Sequence, residues 1–162
     1  MQPDSVDIAL RVLAAAGLGA LIGLEREMSN QTAGLRTHIL VSLGACLFSM
    51  VGAYGFSQSQ DVDPTRIAAQ VVTGIGFLGA GAILRQGPSV RGLTTSAGMW
   101  VTAAVGMAVA FGFWVGALVT TAVTALALYG LKRVERKLLR RSKPDPDGSV
   151  TEESDDEKNE FP

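Results

Sequence analysis

The sequence has very little of the chemistry from which catalytic and zinc sites are built. It contains one cysteine, Cys46, and one histidine, His38, among 162 residues. A single thiol cannot form a disulfide within the chain, and a single imidazole excludes a cluster of histidine ligands. We identify no nucleophile paired with a base and no facing pair of aspartates. We therefore expect a protein that is not an enzyme and has no resident cofactor.

Charge is missing from several stretches of about eighteen residues. A helix in a soluble protein needs a polar face, so uncharged runs of this length are typical of membrane spans, which need roughly twenty apolar residues. The first run is interrupted by a single charged residue, Arg11. We predict an all-α integral membrane domain at residues 1–131 with about five transmembrane helices, at 8–24, 39–56, 67–84, 93–111 and 113–131.

The charges that do occur are unevenly distributed along the chain. Residues 1–143 hold thirteen Lys or Arg against seven Asp or Glu, whereas residues 144–162 hold one against eight. A basic juxtamembrane segment, 132–143, is cytoplasmic by the positive-inside rule, and five spans then leave the amino terminus outside. We expect this segment to interact with anionic lipid and not with nucleic acid. The acidic tail, 144–162, has too few apolar residues to fold and is predicted to be disordered.

The first span carries two patterns that predict contacts. Arg11 lies one helical turn after Asp7, so the two side chains can pair at i, i+4. Gly19 and Gly23 have the small-x-x-x-small spacing that lets membrane helices approach closely. This spacing favours packing inside the chain over a dedicated dimer face, and a homo-oligomer stays an open alternative.

The third apolar run contains a glycine motif, Gly74 to Gly79, that matches the dinucleotide fingerprint G-x-G-x-x-G. That fingerprint requires a strand before it and a helix after it, and an uncharged membrane span provides neither, so we reject a nucleotide site. Each glycine in a helix costs up to about 1 kcal/mol relative to alanine. Two explanations remain: neighbouring helices that crowd this one on several sides, or a broken helix that forms an ion site.

Charged residues close the first span at its cytoplasmic end. Ionisable groups next to a span are costly, so Glu25, Arg26 and Glu27 are functional candidates. Alternatively they anchor the helix end and pair with one of the arginines elsewhere, Arg36, Arg66, Arg85 or Arg91. Mg²⁺ prefers carboxylate oxygens, which makes Glu25 with Glu27, or Asp61 with Asp63, weak candidate ligands. For the aspartate pair, surface solvation is the simpler interpretation.

Several motifs occur in the order typical of one family. They are Gly19–Glu27 (GALIGLERE), Ala33–Thr37 (AGLRT), Arg66–Gln70 (RIAAQ), Gly74–Gly81 (GIGFLGAG) and Arg91–Ala97 (RGLTTSA), followed by Trp100. With these motifs, which cover most of residues 10–112, the chain resembles the MgtC/SapB family of bacterial inner-membrane proteins. The functional candidates among these motifs are Glu25, Arg26, Glu27, Arg36, Arg66, Gln70, Gly74, Gly76, Gly79, Gly81, Arg91, Thr94, Thr95 and Trp100.

The resemblance implies a function as well as a fold. It implies a multi-pass protein of the bacterial inner membrane with about five helices and a role in magnesium homeostasis or stress adaptation, in some relatives linked to virulence. The resemblance also implies that some relatives act by binding membrane proteins, including the ATP synthase, so we expect a non-enzymatic modulator of a transporter or ATPase partner. The alternative is a small oligomeric Mg²⁺ channel or carrier, for which Mg²⁺ would be a ligand.

Overall fold

The computed structural model describes residues 3–55, 63 and 65–141, with backbone alone at Gln86 and 131–141. The predicted acidic tail and Asp61 lie outside these residues. Within them the chain forms five α-helices and one β-hairpin. The elements are α1 (Ser5–Met28), α2 (Leu35–Tyr54), α3 (Thr65–Gly81), β1 (Leu84–Gln86), β2 (Ser89–Arg91), α4 (Leu93–Ala110) and α5 (Trp114–Arg141).

The tight connection between α4 and α5 is set by Gly112, which has a positive φ of 72°. The amide of Phe113 donates to the carbonyl of Ala108 at 2.8 Å, and that of Gly112 donates to Val109 at 3.0 Å. These two bonds form a Schellman cap, which satisfies the last carbonyls of a helix and needs a left-handed residue. α1 ends in the same way, with Asn30 in the left-handed position at φ 51°.

The third predicted span, 67–84, is too long at its end. α3 ends at Gly81, and β1 pairs with β2 in an antiparallel hairpin. The chain leaves the hairpin through Gly92, at φ 90°, and a side chain there would collide with the carbonyl of Ala82. The sequence predicts a turn at this point, but it does not predict the strands.

α4 lies at the centre of the bundle, where it contacts all four other helices. α2 packs against α1, α3 and α4, and α1 also packs against α5. Gly23 of α1 lies against Leu35 of α2, Gly79 of α3 against Ser96 of α4, and Gly98 of α4 against His38 of α2. The ends of α1 and α3 thus meet the starts of α2 and α4, so these consecutive helices run antiparallel. The end at which α1 stops and α2 begins is named the Glu25 end, and the opposite end is named the Arg11 end.

Small residues let these helices approach closely. A Cβ on Gly19 would lie 2.8 Å from the carbonyl oxygen of His38 on α2, and a Cβ on Gly23 would lie 2.8 Å from the Cα of Leu35. On the other side of α2, a Cβ on Gly106 of α4 would collide with the main chain at Ser42. The prediction that Gly19 and Gly23 pack within the chain is therefore confirmed.

At the Arg11 end, one cation connects three helices. Arg11 forms the predicted salt bridge with Asp7, at 2.8 Å. It also donates to the Tyr54 hydroxyl at 3.3 Å and to the carbonyl of Ala110, the last residue of α4. A positive charge at a helix C-terminus offsets the partial negative charge of its free carbonyls.

The outer surface of the bundle is apolar. Large side chains such as Leu13 and Phe77 point outward with 68% and 81% of their surface exposed. By length and composition, α1, α2 and α4 can cross a membrane; α3 has 17 residues, and the apolar part of α5 covers Trp114–Gly130. A surface of this kind is solvated by hydrocarbon and not by water.

Candidate functional site

A buried ion pair lies at the Glu25 end. Arg26 is 4% exposed, and its Nε donates to the carboxylate of the adjacent Glu25 at 2.6 Å. The second carboxylate oxygen accepts a bond from the Ser29 hydroxyl at 2.7 Å. A charge that leaves water is stable only when it is paired and hydrogen-bonded, and Arg26 and Glu25 satisfy this condition for each other.

The third member of this motif, Glu27, caps the next helix. Its carboxylate accepts a bond from the amide of Leu35, the first residue of α2, at 3.0 Å. The N-cap position itself is Gly34, whose own side chain cannot accept such a bond. A Cβ on Gly34 would collide with the Glu27 carboxylate, so the glycine makes room for a cap from another helix. An acid at a helix N-terminus also offsets the helix dipole.

Polar side chains line the buried face of α2. His38, Ser42 and Ser49 are at most 1% exposed and lie on one line of the helix, since residues four and eleven apart share a face. Nδ1 of His38 donates to the carbonyl of Gly34 at 2.9 Å. Within the described residues, the other ring nitrogen and both serine hydroxyls have no hydrogen-bond partner. This polar stripe of α2 was not identified from the sequence. The spacing of its polar residues, four and eleven apart, was the signal that could have revealed it.

The glycines of α3 do not behave as predicted. α3 is one continuous helix through all of them, so a broken helix is wrong for this segment. Crowding on several sides is also wrong, because a Cβ on Gly74, Gly76 or Gly81 would meet no heavy atom within 4 Å. Only Gly79 is packed against a neighbour, the Ser96 hydroxyl of α4. Three of the four glycines therefore face space that the described part of the chain does not fill.

The remaining predicted residues are spread over the molecule. Arg36 and Gln70 line an apolar groove between α2 and α3. Arg66 is exposed at the Arg11 end of α3, far from the acidic motif. Arg91 and Thr94 are exposed near the hairpin, Thr95 is buried, and Trp100 borders a second cavity, of about 430 Å³, between α3 and α4.

The predicted metal ligands are engaged in other contacts or lie apart. Glu25 and Glu27 bind Arg26 and the Leu35 amide, and Asp63 lies at the opposite end of the bundle. Hydrogen bonds from the hydroxyl and amide of Thr65 hold the pKa of Asp63 below its usual value. In the part of the chain that the structure describes, no three His, Cys, Asp or Glu residues are grouped as ligands for a metal.

Taken together, the apolar helices, the apolar outer surface and the buried ion pair define a helical membrane protein. Residues 12–137 match the MgtC family, and the resemblance found in the sequence is confirmed. The chain belongs to this family.

Named relatives cover most of the chain. YhiD of Escherichia coli (strain K12), which its name proposes as a magnesium transporter, is 45% identical over 136 residues, or 81% of this chain and 63% of YhiD. Protein MgtC of Salmonella typhimurium (strain LT2) is 44% identical over 129 residues, which are 80% of this chain and 54% of MgtC. Protein SrpB of Synechococcus elongatus is 40% identical over 146 residues, which are 83% of this chain and 80% of SrpB. The chain thus spans less than two thirds of YhiD and MgtC. No solved structure matches it significantly.

Proposed function

We propose that this protein is a non-enzymatic, multi-pass protein of the bacterial inner membrane that modulates a transporter or ATPase partner in magnesium homeostasis or stress adaptation. Membership of the MgtC family supports the membrane and magnesium parts of this proposal. The name of YhiD, which proposes a magnesium transporter, supports the link to magnesium.

The proposal of a protein partner is supported by one surface of α3. At 100° per residue, Ala69, Thr73, Gly76 and Ala80 fall on one side of the helix, and all four are exposed. We name this surface the outer α3 face. Lipid provides no hydrophobic drive between helices, so close contacts between small residues hold membrane helices together. A partner helix packed on this face would compensate for the helix stability that Gly76 costs.

The outer α3 face can be tested with Gly76→Leu. The new side chain would meet no neighbour among the described residues, but it would keep a partner helix away. Recovery of a transporter or of the ATP synthase in affinity capture from membranes should therefore fall about tenfold, which corresponds to a loss of about 1.4 kcal/mol of binding free energy. Growth at low Mg²⁺ of a bacterium that depends on the chain should fall in parallel. Both are measured with the full chain, at matched expression.

Gly17→Leu is the matched control. Gly17 is exposed on α1 and, like Gly76, has no heavy atom within 4 Å of an added Cβ. Equal capture and growth for the two leucine variants and the parent would refute a partner on the outer α3 face. Gly79→Leu is unsuitable for this test, since its side chain would displace Ser96 and disturb the fold itself.

A second function, a Mg²⁺ channel or carrier, is favoured by the polar stripe of α2. Buried polar groups inside a membrane domain commonly mark the path of a substrate or ion. Purified full chain in liposomes loaded with a Mg²⁺ indicator separates the two functions. Flux above that of empty vesicles would favour transport, and flux equal to that of empty vesicles, with capture lost in Gly76→Leu, would favour modulation.

The orientation belongs to the same proposal, with the Glu25 end and the basic segment in the cytoplasm. Arg26, Arg36, Arg85 and Arg91 all occur near the Glu25 end, which supports this orientation. A phosphatase that is active only outside the membrane should be active when inserted beside Asp63 and inactive when fused after Arg141. The opposite activities would reverse the orientation.

A further inference from the structure

A groove between α2 and α3 has no occupant from the described residues. Its volume is about 610 Å³, within the roughly 300–1,000 Å³ range of ligand sites. Gly44 and Gly74 both line it, and a Cβ on either would meet no heavy atom within 4 Å. Gly74 lies on the opposite side of α3 from the outer α3 face. The groove is therefore separate from the proposed partner surface.

The lining of the groove is apolar except at a few positions. Of the described lining residues only Arg36 is charged; it lies at the Glu25 end, with Thr37 beside it, and Gln70 lies further along. Arg36 is exposed and forms no ion pair with the described residues. Among the described residues none that lines the groove is acidic, so an occupant that complements it is apolar along its length and anionic at one end.

The length of the groove distinguishes a lipid from a helix. On α2 it extends from Arg36 to Phe48, and twelve residues of helix rise about 18 Å. One leaflet contributes about half of the roughly 30 Å of hydrocarbon, whereas a partner helix would need the full thickness. A groove that matches one leaflet and begins at a cation fits a single acyl chain.

We propose that this groove binds one acyl chain of an anionic phospholipid, with the lipid phosphate on the guanidinium of Arg36. The lipid comes from the leaflet at the Glu25 end. The inference requires that the bundle is embedded in a bilayer, but it does not depend on the identity of a protein partner. Gly44 and Gly74 keep the groove open, since larger side chains at these positions would occupy the volume that the acyl chain fills.

Brominated lipids provide the test. Phe48→Trp, combined with Trp100→Phe and Trp114→Phe, places the only tryptophan of the full chain in the groove. In phosphatidylcholine vesicles, brominated phosphatidylglycerol should bind about five times more tightly than brominated phosphatidylcholine, measured by quenching, because one basic residue near the surface contributes about that factor. Adding Arg36→Gln should lower this ratio to near one.

Two matched variants complete the experiment. Arg66→Gln removes an exposed cation at the other end of α3 and should leave the ratio unchanged, and Gly17→Leu on α1 should leave quenching unchanged. Gly74→Leu fills the groove and should reduce quenching by both lipids. A parent ratio near one, or an Arg36→Gln ratio equal to that of the parent, would overturn the proposal.

The same samples identify the competing occupant. If a second copy filled the groove, Gly74→Leu would change the oligomeric mass in sedimentation and leave quenching unchanged, which would also overturn the proposal. Quenching by phosphatidylcholine alone reports that the chain is in the bilayer. A failure of lipid selectivity is therefore distinguishable from a failure of membrane placement or of partner capture.

Discussion

Gly106→Ala is expected to destabilise the fold by about 3 kcal/mol, the upper range for an overpacked core. The added Cβ would collide with the carbonyl of Ser42, and its other near neighbours are main-chain atoms of the same residue. Backbone atoms cannot rotate away as a side chain can, so α2 and α4 would have to separate. Unfolding of the purified protein in mixed micelles with increasing denaturing detergent measures this loss.

Gly44→Ala is the control for this substitution. Gly44 is also on a central helix, but an alanine Cβ there would meet no heavy atom within 4 Å. Its stability should equal that of the parent or exceed it slightly, because alanine is the better helix former. Equal unfolding curves for Gly106→Ala and Gly44→Ala would show that α2 and α4 do not touch at Gly106.

Arg26→Ala is expected to cost about 3 kcal/mol, because it removes one partner of a buried ion pair. Glu25 would keep the hydrogen bond from Ser29 but lose the guanidinium 2.6 Å away. The same detergent titration measures this effect. Arg36→Ala, which removes an exposed arginine at the same end, should change stability by less than about 0.5 kcal/mol.

A double variant tests whether the pair is the cause. Removing Glu25 together with Arg26 removes both charges of the pair, so the double alanine variant should lose less stability than the sum of the two single variants. Additive losses for the two single variants would contradict an interaction between them.

The uncharged runs of the sequence predicted the helices, because an apolar segment of this length without charge is compatible with few structures other than a membrane-spanning helix. α4 is the clearest case, with an uncharged run at 93–111 and a helix at Leu93–Ala110. The end of α3 was harder to predict. The strands after it are three residues each, and their pairing depends on where α3 and α4 hold the two ends of the hairpin.

The site was predicted in part for similar reasons. Charge at the end of a span singled out Glu25 and Arg26, but distant arginines were expected as partners, since neighbouring residues on a helix do not normally face each other. The pair between adjacent residues forms where Arg26 is buried in the bundle, and this burial is a tertiary effect. The polar stripe of α2 was harder to identify, because most other residues of the helix are apolar and the helix has no clear amphipathic pattern.

The central position of α4 also has a consequence for synthesis, because the helix that packs against all the others is made fourth. Ribosomes deliver α1 and α2 first, and Gly98, which covers the His38 ring, is synthesised sixty residues after it. At about 5–20 residues per second, this delay lasts roughly 3–12 s. During that time the imidazole and hydroxyls of the nascent chain have no α4 to shield them. A chain truncated before Leu93 would retain this exposure permanently and become a substrate for membrane quality control.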